Sequence, residues 1–324
     1  MELNNPLVSI CVPIYGVEKY IEKCAVSLFE QSYKQIEYIF VDDCTKDRSI
    51  EILNKVIERY PNRHQNIKII NHPHNKGLAS SRNTGVDASS GDYLMHVDSD
   101  DWLELDAVRK LVEFSKKNTC DIVVFSSVSV YRNQTIVRHL SKCDKSEYIK
   151  QMLLHSIPAS IWNKFYSASF YKESGIRSID GLNHGEDYVV VPRLMHKACS
   201  MSLLDEPLYF YNQMNENSYM KNISSKSIRN LYDAANILTD YFNAVPDKLE
   251  YRDVVRNISV RTMLALVKLA NKSAYPEISK LFMPNIQNGD FSLSKLDMLL
   301  FFLMRNECYS LIEFLLKIYK RLKI

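Results

Sequence analysis

The chain has 324 residues, 46% hydrophobic and 24% charged, enough to bury one large or two ordinary globular cores and too apolar for a disordered chain. Its 41 Lys and Arg against 38 Asp and Glu leave a formal net charge of +3, a surplus too small to mark a nucleic-acid or polyanion binder. The seven cysteines are odd in number and lack a C-x-x-C spacing, which argues against a zinc ribbon or a dithiol centre and for a reducing, cytoplasmic setting. The opening "MELNNPLVSI" has no basic n-region, and the apolar run that follows is cut by Pro13, so no signal peptide is expected. The longest apolar run, "MLLFFLM", is far short of the ~20 residues of a membrane span.

Residues 7–125 alternate between two periodicities. "LVSICV" (7–12), "IEYIFV" (36–41), "IKII" (67–70), "DYLMHV" (92–97) and "DIVVFSS" (121–127) read as short buried strands, rich in β-branched and aromatic residues. Between them, "EKYIEKCAVSLFEQ", "RSIEILNKVIERY", "LASSRNTGVDASS" and "LELDAVRKLVEFSKK" carry the apolar spacing of amphipathic helices. Strand and helix alternating in this way predict an α/β architecture, a mainly parallel sheet flanked by helices, in which ligands bind at the carboxyl ends of the strands. Residues 128–212 are less regular, with "SIWNKFYSASFY", "DGLNHGEDY" and a strand-like "EPLYFY". From about residue 225 the pattern is helical to the end, and of the eight glycines only Gly289 lies beyond Gly185.

Two acidic groups fall at strand ends. Asp42 and Asp43 follow "IEYIFV", and Asp98, Asp100 and Asp101 follow "DYLMHV". Asp101 with Glu104 has capping-box spacing, so Asp101 is expected to cap the next helix. Asp98 and Asp100 repel each other unless a cation offsets them, and Mg²⁺ typically takes one or two carboxylates plus substrate phosphates. Turn residues are the competing reading for that pair. At the other strand end, Asp42 or Asp43 either begins a turn or accepts the N–H of a flat base such as uracil. No glycine-rich phosphate loop follows the first strand, where "PIYG" holds a single glycine, Gly16. Lys76 and Arg82 in "NKGLASSRNTG" are then the cations available to a phosphate, with a salt bridge to a neighbouring carboxylate as the alternative for Arg82.

The run from "VSICVPIYGVEKY" through "IEYIFVDDCTKD" to "NKGLASSRNTGVDASSGDYLMHVDSDDW" resembles the nucleotide-binding half of glycosyltransferase family 2, inverting enzymes of GT-A fold, particularly those that build bacterial surface polysaccharides. A weaker likeness continues through "IWNKFY", "GEDYVVVPRL" and "LYFYN" and fades beyond about residue 213. The resemblance implies a GT-A domain over residues 1–215, split into a nucleotide-binding half (1–127) and an acceptor half (128–215), with a helical C-terminal region over 216–324. It implies that Pro13 and Tyr15 line a base pocket and that Asp43 reads uracil; Lys76 and Arg82 remain the candidate cations for the nucleotide. Asp98 and Ser99 would lie near the ribose and diphosphate, and Asp100, with Asp98, would bind Mn²⁺ or Mg²⁺. Asp187 would be the general base, beside Glu186; taken alone, the same two acids would simply favour a helix start. His184 and His196 are not assigned a role. Gly16 and Asn212 depart from the family pattern, which bears on the diphosphate and acceptor contacts.

The implied partners are a nucleotide-sugar donor, most simply a UDP-sugar, and a glycan or lipid-linked glycan acceptor, with no nucleic acid. A sugar-1-phosphate nucleotidyltransferase is an alternative of another class, but it should carry a glycine-rich loop with a basic end where "PIYGVEKY" stands. A nucleotide-sugar-binding module without turnover is a third. In the tail "SLIEFLLKIYKRLKI", Leu311, Phe314, Leu315, Ile318 and Leu322 share a helical face, and Lys317, Lys320, Arg321 and Lys323 cluster late. That pattern suits either a peripheral contact with the inner face of a membrane or a helix packed on the protein or on a second subunit.

Overall fold

The computed structural model describes residues 5–215, 223–286, 291 and 293–322. The chain divides into two compact units: Met1–Lys145 with Ser160–Gly181 and Leu194–Asn215, and Ser146–Ala159 with Leu182–Arg193 and Glu216–Ile324.

The first unit carries a nine-stranded sheet. Its strands are β1 (Val8–Ile14), β2 (Ile36–Asp42), β3 (Ile67–Asn71), β4 (Tyr93–His96), β5 (Trp102–Leu103), β6 (Ile122–Val130), β7 (Thr135–Arg138), β8 (Lys164–Ser167) and β9 (Met201–Asn212). The order is β3-β2-β1-β4-β8-β6-β9-β5, with β7 paired to β6. The run β3-β2-β1-β4 is wholly parallel, and β6 also pairs β9 in parallel; β8, β7 and β5 join antiparallel. The α/β architecture expected from the alternating pattern is what forms.

The central parallel strands are buried almost throughout, β1 over all seven residues, so they read as continuous apolar runs, while β3 at the sheet edge is only partly covered. The crossover helices α1 (Ile21–Phe29), α2 (Ser49–Glu58), α3 (Leu78–Ala88) and α4 (Ala107–Asn118) connect them. Ile10, Val12, Leu28, Phe40, Met95 and Phe165 belong to one core that these elements share. Helix α3 comes unusually close to β1: a Cβ on Gly85 would stand 3.0 Å from Cys11 Cβ. A larger residue there would press the helix away from the strand by a few tenths of an ångström, and α3 carries Arg82.

The second unit is helical. It holds α5 (Lys145–Leu153), α8 (Ser225–Ala244), α9 (Lys248–Leu269), α10 (Tyr275–Phe282), α11 (Lys295–Arg305) and α12 (Tyr309–Leu322). A capping box of Ser224 and Ser227 starts α8, and Ser294 caps α11. Asp297 on α11 is buried and ion-paired with Arg261 and Lys268 of α9. The side chains of Lys320 and Leu322, and all of Lys323, lie outside the described residues. Short α6 (Ala168–Glu173) lies in the first unit, and α7 (Glu186–Lys197) contributes residues to both.

Candidate active site

β1 lies between β2 and β4, and all three run parallel, so their carboxyl ends share one edge of the sheet. Pro13 is buried opposite Val41, while Tyr15, just past the end of β1, is 48% exposed. The next residue, Gly16, has φ 68° and donates its N–H to Thr45 Oγ1 at 2.9 Å. Asp42 in turn accepts from the Thr45 N–H at 2.8 Å. Asp42 therefore serves the turn at the end of β2.

Asp43 is 3% exposed and its carboxylate is almost fully used by the protein. Oδ1 accepts the Lys76 N–H at 2.7 Å and lies 2.8 Å from His72 Nδ1; Oδ2 accepts the Gly77 N–H at 2.8 Å. A carboxylate only accepts, so His72 Nδ1 carries a proton, and its other ring nitrogen lies 2.9 Å from Thr84 Oγ1. Gly77 adopts φ 91°, a conformation that suits glycine, and this aims its N–H at Asp43. Lys76 meets Asp43 through its backbone, and its side chain is exposed.

The turn after β4 is arranged differently. Arg82, 2% exposed on α3, pairs with Asp98 at 3.0 Å, so the salt-bridge reading of Arg82 describes its position. Asp101 is not a helix cap: α4 begins at Ala107, with Asp106 at the cap position. Instead Asp101 is 1% exposed and accepts from Tyr209 Oη and the Asn212 N–H, both at 2.7 Å, tying the turn to β9. The physical reason is β5, the two-residue strand that pairs with Tyr209 and Phe210 and takes up the chain where the helix was expected to start. Tyr209 Oη also receives the Asp98 N–H at 3.0 Å. Ser99 is buried within the same turn.

Asp100 accepts from Asn215 Nδ2 at 2.8 Å, and Asn212 Nδ2 donates to the Asp100 carbonyl at 3.1 Å. Burial first, and then repulsion from Asp98, push the Asp100 carboxyl up to about 6. Asp101 is raised as well, by burial and then by Asp100 and Asp98. The cluster is thus short of positive charge even with Arg82 beside it. A divalent cation fits that deficit, and the donor set suits one: hard carboxylate oxygens, of which Mg²⁺ typically takes one or two. Among the described residues no three His, Cys, Asp or Glu side chains are grouped to hold a metal ion. Asp100 and Asp98 would hold such a cation only with further oxygens from a ligand.

Glu186 and Asp187 form the first turn of α7, and their stretch belongs to the second unit. Glu186 is 8% exposed, and the partial positive charge at the helix start favours both carboxylates. Gly185 before them has φ 87°, and a Cβ there would stand 2.8 Å from Leu231 Cδ2. His184 is buried, which holds its ring below the usual histidine range, and His196 is half-buried in the last turn of α7.

The structure thus gathers Arg82, Asp98, Ser99 and Asp100 at one turn and ties Asp43 to Lys76 through the backbone. His72, Tyr209 and Asn215 were missed by the sequence reading. His72 ends the third strand region and could have been found by that position; nothing local marks the other two.

The glycosyl transferase family 2 profile matches residues 9–179. An uncharacterized glycosyltransferase, EpsJ of Bacillus subtilis, is 34% identical over 221 residues, covering 66% of this chain and 62% of that protein. The chain spans about three-fifths of the length of the first curated relatives it matches. Among solved structures, Staphylococcus aureus TarS 1–349 in complex with UDP-GlcNAc superposes with a TM-score of 0.67 at 17% identity, covering 97% of this chain and 92% of that one. The mannosyltransferase PcManGT of Pyrobaculum calidifontis, in complex with GDP-Man and Mn²⁺, gives a TM-score of 0.56 at 13% identity, over 98% and 88% of the two chains. The fold is therefore shared with both, and with more than half its length matched by the profile, this chain belongs to glycosyltransferase family 2.

Proposed function

We propose that the protein transfers a sugar from a UDP-sugar donor to a hydroxyl of a glycan acceptor, with inversion and with the help of a divalent cation. The observation that carries this reading is the carboxylate cluster after β4, where Asp98, paired with the buried Arg82 at 3.0 Å, and Asp100, raised to about 6 by burial and then by Asp98, stand at the ligand edge of a parallel sheet. The complexes of TarS with UDP-GlcNAc and of PcManGT with GDP-Man and Mn²⁺ support a nucleotide sugar and a cation as the ligands of this fold. Asp43 keeps room for one base donor, as the uracil reading needs: a carboxylate has about four acceptor positions, three are filled, and one is left for an N–H such as that of the uracil imide.

In this reading Asp43, held rigid by its three donors, fixes the base, with Pro13 and Tyr15 lining the pocket. Arg82 fixes the orientation of Asp98, and Lys76 is the exposed cation available to the diphosphate. When bound at Asp100 and Asp98, Mn²⁺ or Mg²⁺ would offset the negative charge that grows on the departing diphosphate. Asp187 takes the proton of the acceptor hydroxyl as it attacks the anomeric carbon, and Glu186 beside it keeps the acid pair in place at the helix start.

The test is release of nucleoside diphosphate from a panel of nucleotide sugars, with wild type and Asp187→Asn. A general base contributes about 10²–10⁴ in rate, so Asp187→Asn should lose that factor while its titration with UDP and Mn²⁺ is unchanged. Retention of more than about a third of the wild-type rate would place the base elsewhere. Donor binding with no diphosphate release under any acceptor would instead make the chain a binding module, and pyrophosphate release from sugar-1-phosphate and nucleoside triphosphate a nucleotidyltransferase.

A further inference from the structure

Of the 14 large hydrophobic side chains that stand exposed among the described residues, seven lie between residues 298 and 319. Met298, Leu299 and Phe302 are on α11; Leu311, Phe314, Ile318 and Tyr319 are on α12. Phe302 and Phe314 are 60% and 58% exposed. Each helix already buries a different stripe, Leu300, Leu303 and Met304 on α11 and Ile312 and Leu316 on α12. A surface helix normally turns a polar face outward once its inner stripe is buried. These two turn a second apolar face to the outside, and a concentration of this kind marks a contact surface.

The charges identify the partner. Residues 295–324 hold six Lys and Arg against three Asp and Glu. Of the acids, Asp297 is buried against Arg261 and Lys268, and Glu313 is paired with Lys317. Lys295, Arg305, Lys317 and Arg321 are exposed along the same helices. A second copy meeting this face would bring like charges together, whereas an anionic headgroup layer complements them. Apolar side chains bordered by cations are the pattern of helices that lie in a membrane interface. No helix among the described residues is long and apolar enough to cross a membrane.

We propose that α11 and α12 seat the protein on an anionic lipid surface. Phe302, Phe314 and their apolar neighbours enter the headgroup–acyl boundary, and the flanking cations meet the lipid phosphates. The inference stands apart from the donor chemistry.

The test is flotation of the full chain with vesicles of phosphatidylglycerol and phosphatidylcholine against phosphatidylcholine alone, at low and high salt. Binding to the anionic vesicles, weakened by salt and weak on the neutral ones, is expected. Lys295→Ala with Arg321→Ala should reduce partitioning about 25-fold, since each surface cation contributes about fivefold. Phe302→Ser with Phe314→Ser should reduce it at least as far without lowering the melting temperature, because both rings are already exposed. UDP titration of these variants should match wild type, so failure here leaves the donor reading intact. Absence of partitioning on anionic vesicles at low salt, or equal partitioning of the variants, would overturn the proposal. So would a lipid-free dimer, seen by light scattering, that the Phe302→Ser/Phe314→Ser variant dissolves.

Discussion

Asp43 and Asp100 follow neighbouring parallel strand ends, on either side of β1, yet they are treated in opposite ways. Asp43 has two backbone N–H donors and a histidine on its oxygens. Asp100 has the Asn215 amide, and burial and then repulsion from Asp98 push it up to about 6. The first is a carboxylate that the protein has satisfied and made rigid. The second is one that burial and a neighbouring carboxylate hold above the usual carboxylate range. A shared residue type at a shared edge therefore does not imply a shared task; the donors that tertiary structure brings to each decide it.

The sharpest way to break this comparison is Asp100→Asn. Turnover should fall by at least about 10²-fold, because charge stabilisation on the leaving group is lost. Calorimetry should show UDP binding that no longer responds to Mn²⁺. The same variant should melt higher than wild type in chelator at neutral pH, by about 1–3 kcal/mol of relieved repulsion and desolvation. A lower melting temperature would mean that Asp100 is structural like Asp43.

Asp43→Ala should behave in the reverse sense. It strands donors from Lys76, Gly77 and His72, and with buried unpaired groups costing about 1–3 kcal/mol each, a loss of about 3 kcal/mol in stability is expected by denaturant titration. UDP affinity should fall with it, and preference over GDP should disappear. Unchanged stability would show that those donors are readily satisfied by water.

A pH scan of the metal-free protein separates the two regions further. The raised Asp100 pKa means that the folded state holds its proton more tightly than the unfolded chain. Its contribution is therefore full below about pH 4 and is lost as pH climbs to about 6. His155, in the second unit, is shifted the other way, down to about 4 by burial and then by Arg261 and Lys268. The stability from keeping it neutral is full above about pH 6.5 and is lost as pH falls to about 4, on the order of 3 kcal/mol. Thermal melts should show Asp100→Asn flattening the decline toward neutral pH and His155→Gln flattening the decline toward acid.

The smallest effect sharpens the contrast most directly. Asn215→Ala removes the amide on Asp100 and should weaken Mn²⁺-dependent UDP binding by about 1 kcal/mol, a hydrogen bond to a charged group being worth roughly that or somewhat more. Titration calorimetry with and without Mn²⁺ reads it. Equal affinities in the variant and wild type would leave Asn215 as packing only.

The strands of the first unit and the long helices of the second were legible because their signals are local: apolar runs with β-branched residues, and apolar spacing near 3.6. The pieces that escaped are short or depend on distant partners. Strand β5 has only two residues, paired with a strand more than a hundred residues away. That pairing overrode a good capping-box spacing at Asp101 and turned the expected cap into a buried acceptor for Tyr209 and Asn212.

By itself the sequence determined the alternation that makes the parallel sheet, the placing of acids at two strand ends, and the family. These follow from periodicity and from residues adjacent along the chain. Which acid is satisfied and which stays short of charge was decided only by the tertiary structure. Asp43 draws its donors from 29 to 34 residues away and Asp100 its amide from 115 residues away, and a carboxylate's charge state depends on what surrounds it in space.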